Sequence, residues 1–181
     1  MTVSETGLEG CYLLELDSFG DDRGFFMESF NQHRVEEALG TTFEVKQVNF
    51  ASSSKNAIRG LHYQDKPHAQ AKLVGVTRGA VLDVVVDIRK DSPSYLRNFK
   101  VVLDRPGLQL YVPKGFAHGY KALEDDSFFY YFVDEFYAPN SEKGIFYNDA
   151  QLAIDWELTE EPNVSQKDLD QPTLDKVENQ F

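Results

Sequence analysis

Gly107-Leu108-Gln109-Leu110-Tyr111-Val112-Pro113-Lys114-Gly115-Phe116-Ala117-His118-Gly119 is the stretch on which the fold turns. Leu108–Val112 has the length and the branched and aromatic content of a β-strand. Asp104-Arg105-Pro106-Gly107 before it carries turn formers, so the strand leaves a tight turn. Pro113 and Gly115 break the chain again, and a further strand is expected at Gly119–Leu123.

The same rhythm runs outward in both directions. Candidate strands are Cys11–Leu16, Phe25–Phe30, Phe43–Phe50, Ala57–Tyr63, Ala71–Thr77, Val81–Ile88, Asn98–Leu103 and Phe128–Glu135. All are short, rich in Val, Tyr and Phe, and separated by turn formers such as Arg78-Gly79. Many closely spaced short strands favour a sandwich or closed barrel over an alternating α/β fold. One short helix fits Gln32–Leu39, with Asn31 as its cap and Gly40 as its stop. After Trp156 the chain turns polar and acidic, and a wrapping tail with little regular structure is expected.

Composition narrows the function. At 181 residues the chain is expected to form one domain spanning 1–181 with a substantial core. The net charge of -12 argues against a duplex nucleic-acid partner, which needs a basic face. A small anionic ligand needs only a few cations, and Arg23, Arg59, Lys72 and Lys167 can supply them. No apolar run is long enough to cross a membrane, and Met1–Thr6 has no secretory character, so a cytoplasmic location is expected. Cys11 is the single cysteine, so no internal disulfide can form, and a small buried residue is expected there.

Three side-chain types on strand-like segments define the candidate chemistry. Arg59-Gly60-Leu61-His62-Tyr63-Gln64 and Phe116-Ala117-His118 each carry a histidine; Gln70-Ala71-Lys72 brings an ammonium and Tyr130-Tyr131 a phenol. A base, a cation and a weak acid suffice to move a proton on carbon beside a ketone. Alternation along strands puts Gln47 with Asn49 on one face, Lys72 with Val74 and Val76, and Phe129 with Tyr131 and Val133. It separates Tyr130 from Tyr131, so only one of them can face a given cavity. Arg59 and His62 have opposite parity, so a shared site requires a bulge at Gly60.

Gly107, five residues, then Pro113-x-Gly115-x-x-His118 resembles the second half of the cupin motif. The fold this implies is all-β: a double-stranded β-helix, or cupin jelly roll, with one or more short helices. The first half of that motif usually supplies a His-x-His pair and a downstream acid, but here only His62 stands there, followed by Tyr63-Gln64. Two histidines without a clear third ligand make a poor zinc or iron site, so no metal is expected.

A closer resemblance is carried by Asp21-Asp22-Arg23-Gly24-Phe25-Phe26, Arg59–Gln64, Gln70–Val74, Asp83–Arg89, Pro113–Gly119, Tyr137-Ala138-Pro139, Asn148-Asp149, Ile154-Asp155-Trp156 and Gln166-Lys167-Asp168. In order, over about residues 7 to 174, these resemble the dTDP-4-dehydrorhamnose 3,5-epimerase family. The resemblance implies an isomerase that inverts C3 and C5 of a dTDP-linked 4-keto-6-deoxyhexose without a cofactor. It implies His62 as the base, Asp168 as its carboxylate partner, Tyr131 as the acid on the opposite face, and Lys72 and His118 around the sugar oxygens. For substrate binding it implies Arg23, Phe26, Glu28, Gln47, Asn49, Arg59, Glu142 and Lys167, with Tyr137 stacking on the base. It also implies a homodimer in which a neighbouring subunit supplies part of the nucleotide site.

Asp83 is open between a second histidine partner and a solvated strand residue. Val48 and Phe132 depart from the Asp and Lys often found at those places in the family. An epimerase acting at only C3 or only C5, or on another nucleotide sugar, is one alternative. A metal-dependent cupin enzyme and a non-catalytic nucleotide-sugar binding module are two others.

Overall fold

The computed structural model describes all 181 residues. Its strands are β1 (Thr2–Glu5), β2 (Tyr12–Glu15), β3 (Ser18–Asp21), β4 (Gly24–Met27), β5 (Gln47–Ser53), β6 (Ala57–Gln64) and β7 (Lys72–Arg78). They continue with β8 (Val81–Asp87), β9 (Asn98–Leu103), β10 (Leu108–Val112), β11 (Phe116–Ala122), β12 (Ser127–Val133), β13 (Glu142–Gly144) and β14 (Asn163–Val164). Two helices, α1 (Gln32–Leu39) and α2 (Gln166–Leu169), complete the list of longer elements.

One sheet runs β1-β2-β10-β7-β12-β5 and the other β13-β6-β11-β8-β9, the two facing each other as a jelly roll. Between them lies an apolar core of Val74, Val76, Val81, Val85, Leu110, Phe116 and Phe129. The second sheet is buried on its outer face too, where Trp156, Ile145, Leu152 and Ile154 cover Leu61, Leu82, Val84 and Val86. This is why β8 is apolar at successive positions rather than alternating: Val81 and Val85 point inward, Val84 and Val86 outward. Outside the first sheet, α1 lays Val35 and Leu39 over Leu14, Leu73 and Tyr111. Each such Val or Leu contributes about 1.5–3 kcal/mol when fully buried.

The helix matches its sequence reading from cap to cap. The Asn31 side chain accepts from the Arg34 N–H, and Gly40 stops the helix in a left-handed conformation. Several strand ends differ from expectation. The strand expected at Phe43–Phe50 begins only at Gln47, because Phe43 leaves the sheet to pack edge-on against Tyr111. The strand expected at Gly119–Leu123 begins earlier, at Phe116, and passes straight through Gly119. The tail is more ordered than expected: β14 pairs in parallel with β6, and α2 follows at once.

Gly60 shapes the site. His118 pairs with His62 but Tyr120 pairs with Arg59, so β6 holds one extra residue against β11. The bulge turns both Arg59 and His62 inward while Ile58 and Leu61 stay outside. Gly60 adopts φ +123, and a Cβ there would lie 2.6 Å from Gly119 Cα and 2.7 Å from His118 O. Gly60→Ala is therefore expected to cost about 3 kcal/mol from backbone strain and overpacking. A drop of roughly 6–12 °C in Tm by calorimetry checks this.

Candidate active site

A cleft of about 350 Å³ opens at one end of the barrel. β6 contributes Arg59 and His62, β7 Lys72, β11 His118 and Tyr120, and β12 Phe129 and Tyr131. The two sheets therefore carry His62 and Tyr131 on opposing walls. Phe129, on the Tyr131 strand, adds an apolar surface to the cleft, its ring centroid 5.9 Å from His118, 4.3 Å from Tyr120 and 6.1 Å from Tyr131.

His62 Nε2 lies 2.6 Å from Asp168 Oδ1. Asp168 is placed by α2, a single turn capped by Ser165, whose hydroxyl accepts from the Asp168 N–H. Burial works to raise the Asp168 carboxyl, but hydrogen bonds from His62, Ser165 and the Gly60 N–H, with the charge of His62, hold it below its ordinary value. The carboxylate thus stays ionised, fixes the ring, and leaves the second ring nitrogen for a proton. A second pair stands deeper: His118 Nε2 meets Asp83 Oδ2 at 2.8 Å, both residues buried. Asp83 is a histidine partner rather than a solvated strand residue. No cluster of three His, Cys, Asp or Glu side chains is arranged to hold an ion.

Lys72 is buried at the cleft wall, and burial pulls its ammonium down to about 8, against the opposing pull of Asp83 and Glu142. It carries its charge below pH 8 and loses it above. If that charge stabilises the reacting oxygen, the rate falls as pH rises through about 8. Lys72→Arg, whose guanidinium does not deprotonate, is expected to remove this alkaline limb even where its absolute rate is lower. A pH–rate profile of both proteins checks this. Burial lifts the Tyr131 phenol above its usual value, so it stays protonated across the same range.

At the mouth, Glu142 takes hydrogen bonds from Lys167 Nζ at 2.7 Å and Tyr137 OH at 2.8 Å. The Tyr137 ring is half-exposed and presents a flat face to solvent. Gln47 accepts from the Tyr137 N–H and donates to Asn49, so this pair braces the rim without lining the cleft.

Arg23, Phe26 and Glu28 are not brought to the cleft within one chain. Arg23 projects from the β3–β4 hairpin and pairs with Asp21 at 2.5 Å, while Glu28 pairs with Arg34 at 3.0 Å. Phe26 is 70% exposed. The two departures also stay outside the cleft. Phe132 points to the back of its sheet and stacks on Phe30, and Val48 faces solvent beside it on β5. Tyr130 likewise points backward, to Gln109, which leaves Tyr131 as the member of that pair facing the cleft. Sequence reading missed Tyr120 and Phe129 as cleft residues. Each lies two positions from a recognised one, on the same strand face, so alternation could have found both.

The family model described as dTDP-4-dehydrorhamnose 3,5-epimerase matches residues 5–176. The dTDP-4-dehydrorhamnose 3,5-epimerase of Escherichia coli K12 is 47% identical over 178 residues, 98% of this chain and 96% of that protein. The crystal structure of dTDP-6-deoxy-D-glucose-3,5-epimerase from Legionella pneumophila Philadelphia 1, in complex with dTDP-4-keto-L-rhamnose, is 42% identical and superposes with a TM-score of 0.94. That match covers 98% of this chain and 94% of the other. The Bacillus anthracis Ames epimerase with TDP and PPi bound is 45% identical, with a TM-score of 0.90 over 96% of this chain and 99% of that one. The chain belongs to the dTDP-4-dehydrorhamnose 3,5-epimerase family.

Proposed function

We propose that this enzyme epimerises dTDP-4-dehydro-6-deoxy-D-glucose at C3 and C5, with His62 as base and Tyr131 as acid. The observation that carries the reading is the His62–Asp168 pair at 2.6 Å on one wall of a cleft whose opposite wall holds Tyr131. His62 removes the proton from carbon beside the C4 ketone. Lys72 meets the negative charge that develops on the ketone oxygen, and His118 contacts a neighbouring sugar oxygen. Tyr131 returns a proton from the other face, which inverts the carbon. The same ketone activates C3 and C5 in turn. Arg59 and Lys167 take the diphosphate, and Tyr137 the base.

The test is incubation of the 4-keto sugar nucleotide with enzyme in D2O, followed by mass and NMR analysis. Deuterium at both C3 and C5 is expected. Label at one carbon alone would assign a mono-epimerase, and none at all would leave a binding module. Activity lost on chelation and restored by a metal would instead favour a metal-dependent enzyme.

The working unit of the proposal is a homodimer of one-domain chains, each spanning 1–181, in the cytoplasm. No helix is long and apolar enough to cross a membrane. The β3–β4 hairpin exposes Phe19, Phe25 and Phe26 by 62–70%, and the edge strand β5 exposes Val48 and Phe50. Apolar groups so concentrated call for a covering partner. A second copy would also bring Arg23, Phe26 and Glu28 to a cleft they do not reach in their own chain. Phe26→Asp is expected to yield monomer in light scattering and to weaken dTDP binding at least about tenfold.

A further inference from the structure

Tyr120 carries a polar chain that the reaction as described does not use. Its ring lies flat on Phe129 and its residue lines the cleft two positions from His118. Its hydroxyl is 3.0 Å from Ser53 Oγ, and both residues are buried. Ser53 Oγ in turn accepts from Arg59 Nε at 3.0 Å, while Arg59 Nη2 donates to Ser52 O at 3.1 Å.

Proton counting fixes the first link of this chain, and the need to satisfy the buried Ser53 hydroxyl sets the second. A guanidinium has only donors, so the first bond must run from Arg59 to Ser53. Ser53 then holds one proton, and the Tyr120 oxygen is the one other partner of its hydroxyl. Placed there, that proton leaves the Tyr120 O–H with no acceptor in the chain and the cleft before it. A hydroxyl that accepts from a cation donates more strongly, and the effect passes along the chain. The same contacts spend one edge of Arg59 on Ser52 and Ser53. The end-on pair of N–H groups on Nη1 and Nη2 is left free for two oxygens of an anion.

We propose that Tyr120 donates a hydrogen bond to an oxygen of the reacting hexose, and that Ser53 is the positioning residue joining this donor to the guanidinium of Arg59. Ser53 would then serve both halves of the substrate: it steadies Arg59 for the diphosphate and directs the Tyr120 proton toward the sugar. The inference rests on the epimerase reading above. The two can fail separately, because wild-type exchange tests that reading and the variants below test this one.

The experiment measures deuterium exchange and dTDP affinity for Tyr120→Phe, Ser53→Ala, Ser53→Thr and the Tyr120→Phe/Ser53→Ala double variant, with melting temperatures as the check on folding. Tyr120→Phe keeps the stacked ring and is expected to lower kcat for exchange about tenfold, one hydrogen bond's worth, with dTDP affinity unchanged. Ser53→Ala is expected to lower kcat similarly and to weaken dTDP severalfold, and Ser53→Thr to restore both. The double variant is expected to lose no more kcat than the worse single variant, because the chain is already broken. Exchange within twofold of wild type in Tyr120→Phe would overturn the proposal. So would multiplicative losses in the double variant, or a fall in dTDP affinity in Tyr120→Phe equal to its fall in kcat. Should Tyr120→Phe fail to fold, Ser53→Ala against Ser53→Thr decides alone: equal kcat in the two rejects the hydroxyl link.

Discussion

His62→Ala is expected to lower deuterium exchange at both carbons at least about 10³-fold while dTDP affinity stays within about twofold of wild type. A carbon acid beside a ketone is weak, so its proton leaves only to a base held in place. No other group on that wall can substitute. Asp168 meets the ring at Nε2, behind the nitrogen that faces the substrate, so with the ring removed its carboxylate stands a ring's width back from the reacting carbon. His118 is committed to Asp83. Nucleotide binding should survive, because Tyr137, Glu142 and Lys167 form a separate cluster at the mouth. Isothermal titration with dTDP beside NMR-monitored exchange checks both halves. Exchange at wild-type rate in the variant would remove His62 from the reaction.

Tyr131→Phe is expected to separate exchange from inversion. The base still removes its proton and Lys72 still stabilises the enolate, so deuterium continues to enter the sugar. With no acid on the far wall, the proton returns mainly from the side it left, and the starting configuration is regenerated. Net formation of inverted product should fall at least about 10²-fold, with exchange falling far less. NMR coupling constants of the recovered sugar read configuration directly, and mass spectrometry reads label. Equal losses in both would show that Tyr131 is needed to form the enolate and not only to quench it.

Much of this arrangement could be read before any coordinates. Leu108–Val112 and Asn98–Leu103 are bounded by strong turn formers, and both strands end where those residues stand. Helix Gln32–Leu39 was legible because Asn31 and Gly40 act locally. The parity conflict between Arg59 and His62 pointed to the Gly60 bulge, since a regular strand cannot show both to one side. Other features depend on distant partners. β1 is exposed at every position, so it has no apolar alternation to betray it and is held by pairing with β2. Phe43 looks like a strand residue and is a core residue, because the Tyr111 ring it meets lies far along the chain. Ser53 has no sequence signature: its importance comes from meeting Arg59 across a turn and Tyr120 across the barrel. The hairpin residues Arg23, Phe26 and Glu28 were placed by family resemblance alone, and a single chain leaves them outside the cleft.

The imidazole and the carboxylate that steadies it are 106 residues apart in sequence. A ribosome adding about 5–20 residues per second makes one roughly 5–20 s before the other. The strands that flank β6 in its sheet, β11 and β13, are both made in that interval. A nascent chain therefore carries its base before the carboxylate that orients the ring has been made. The carboxylate is thus the later-made half of the pair, and catalytic competence waits for it.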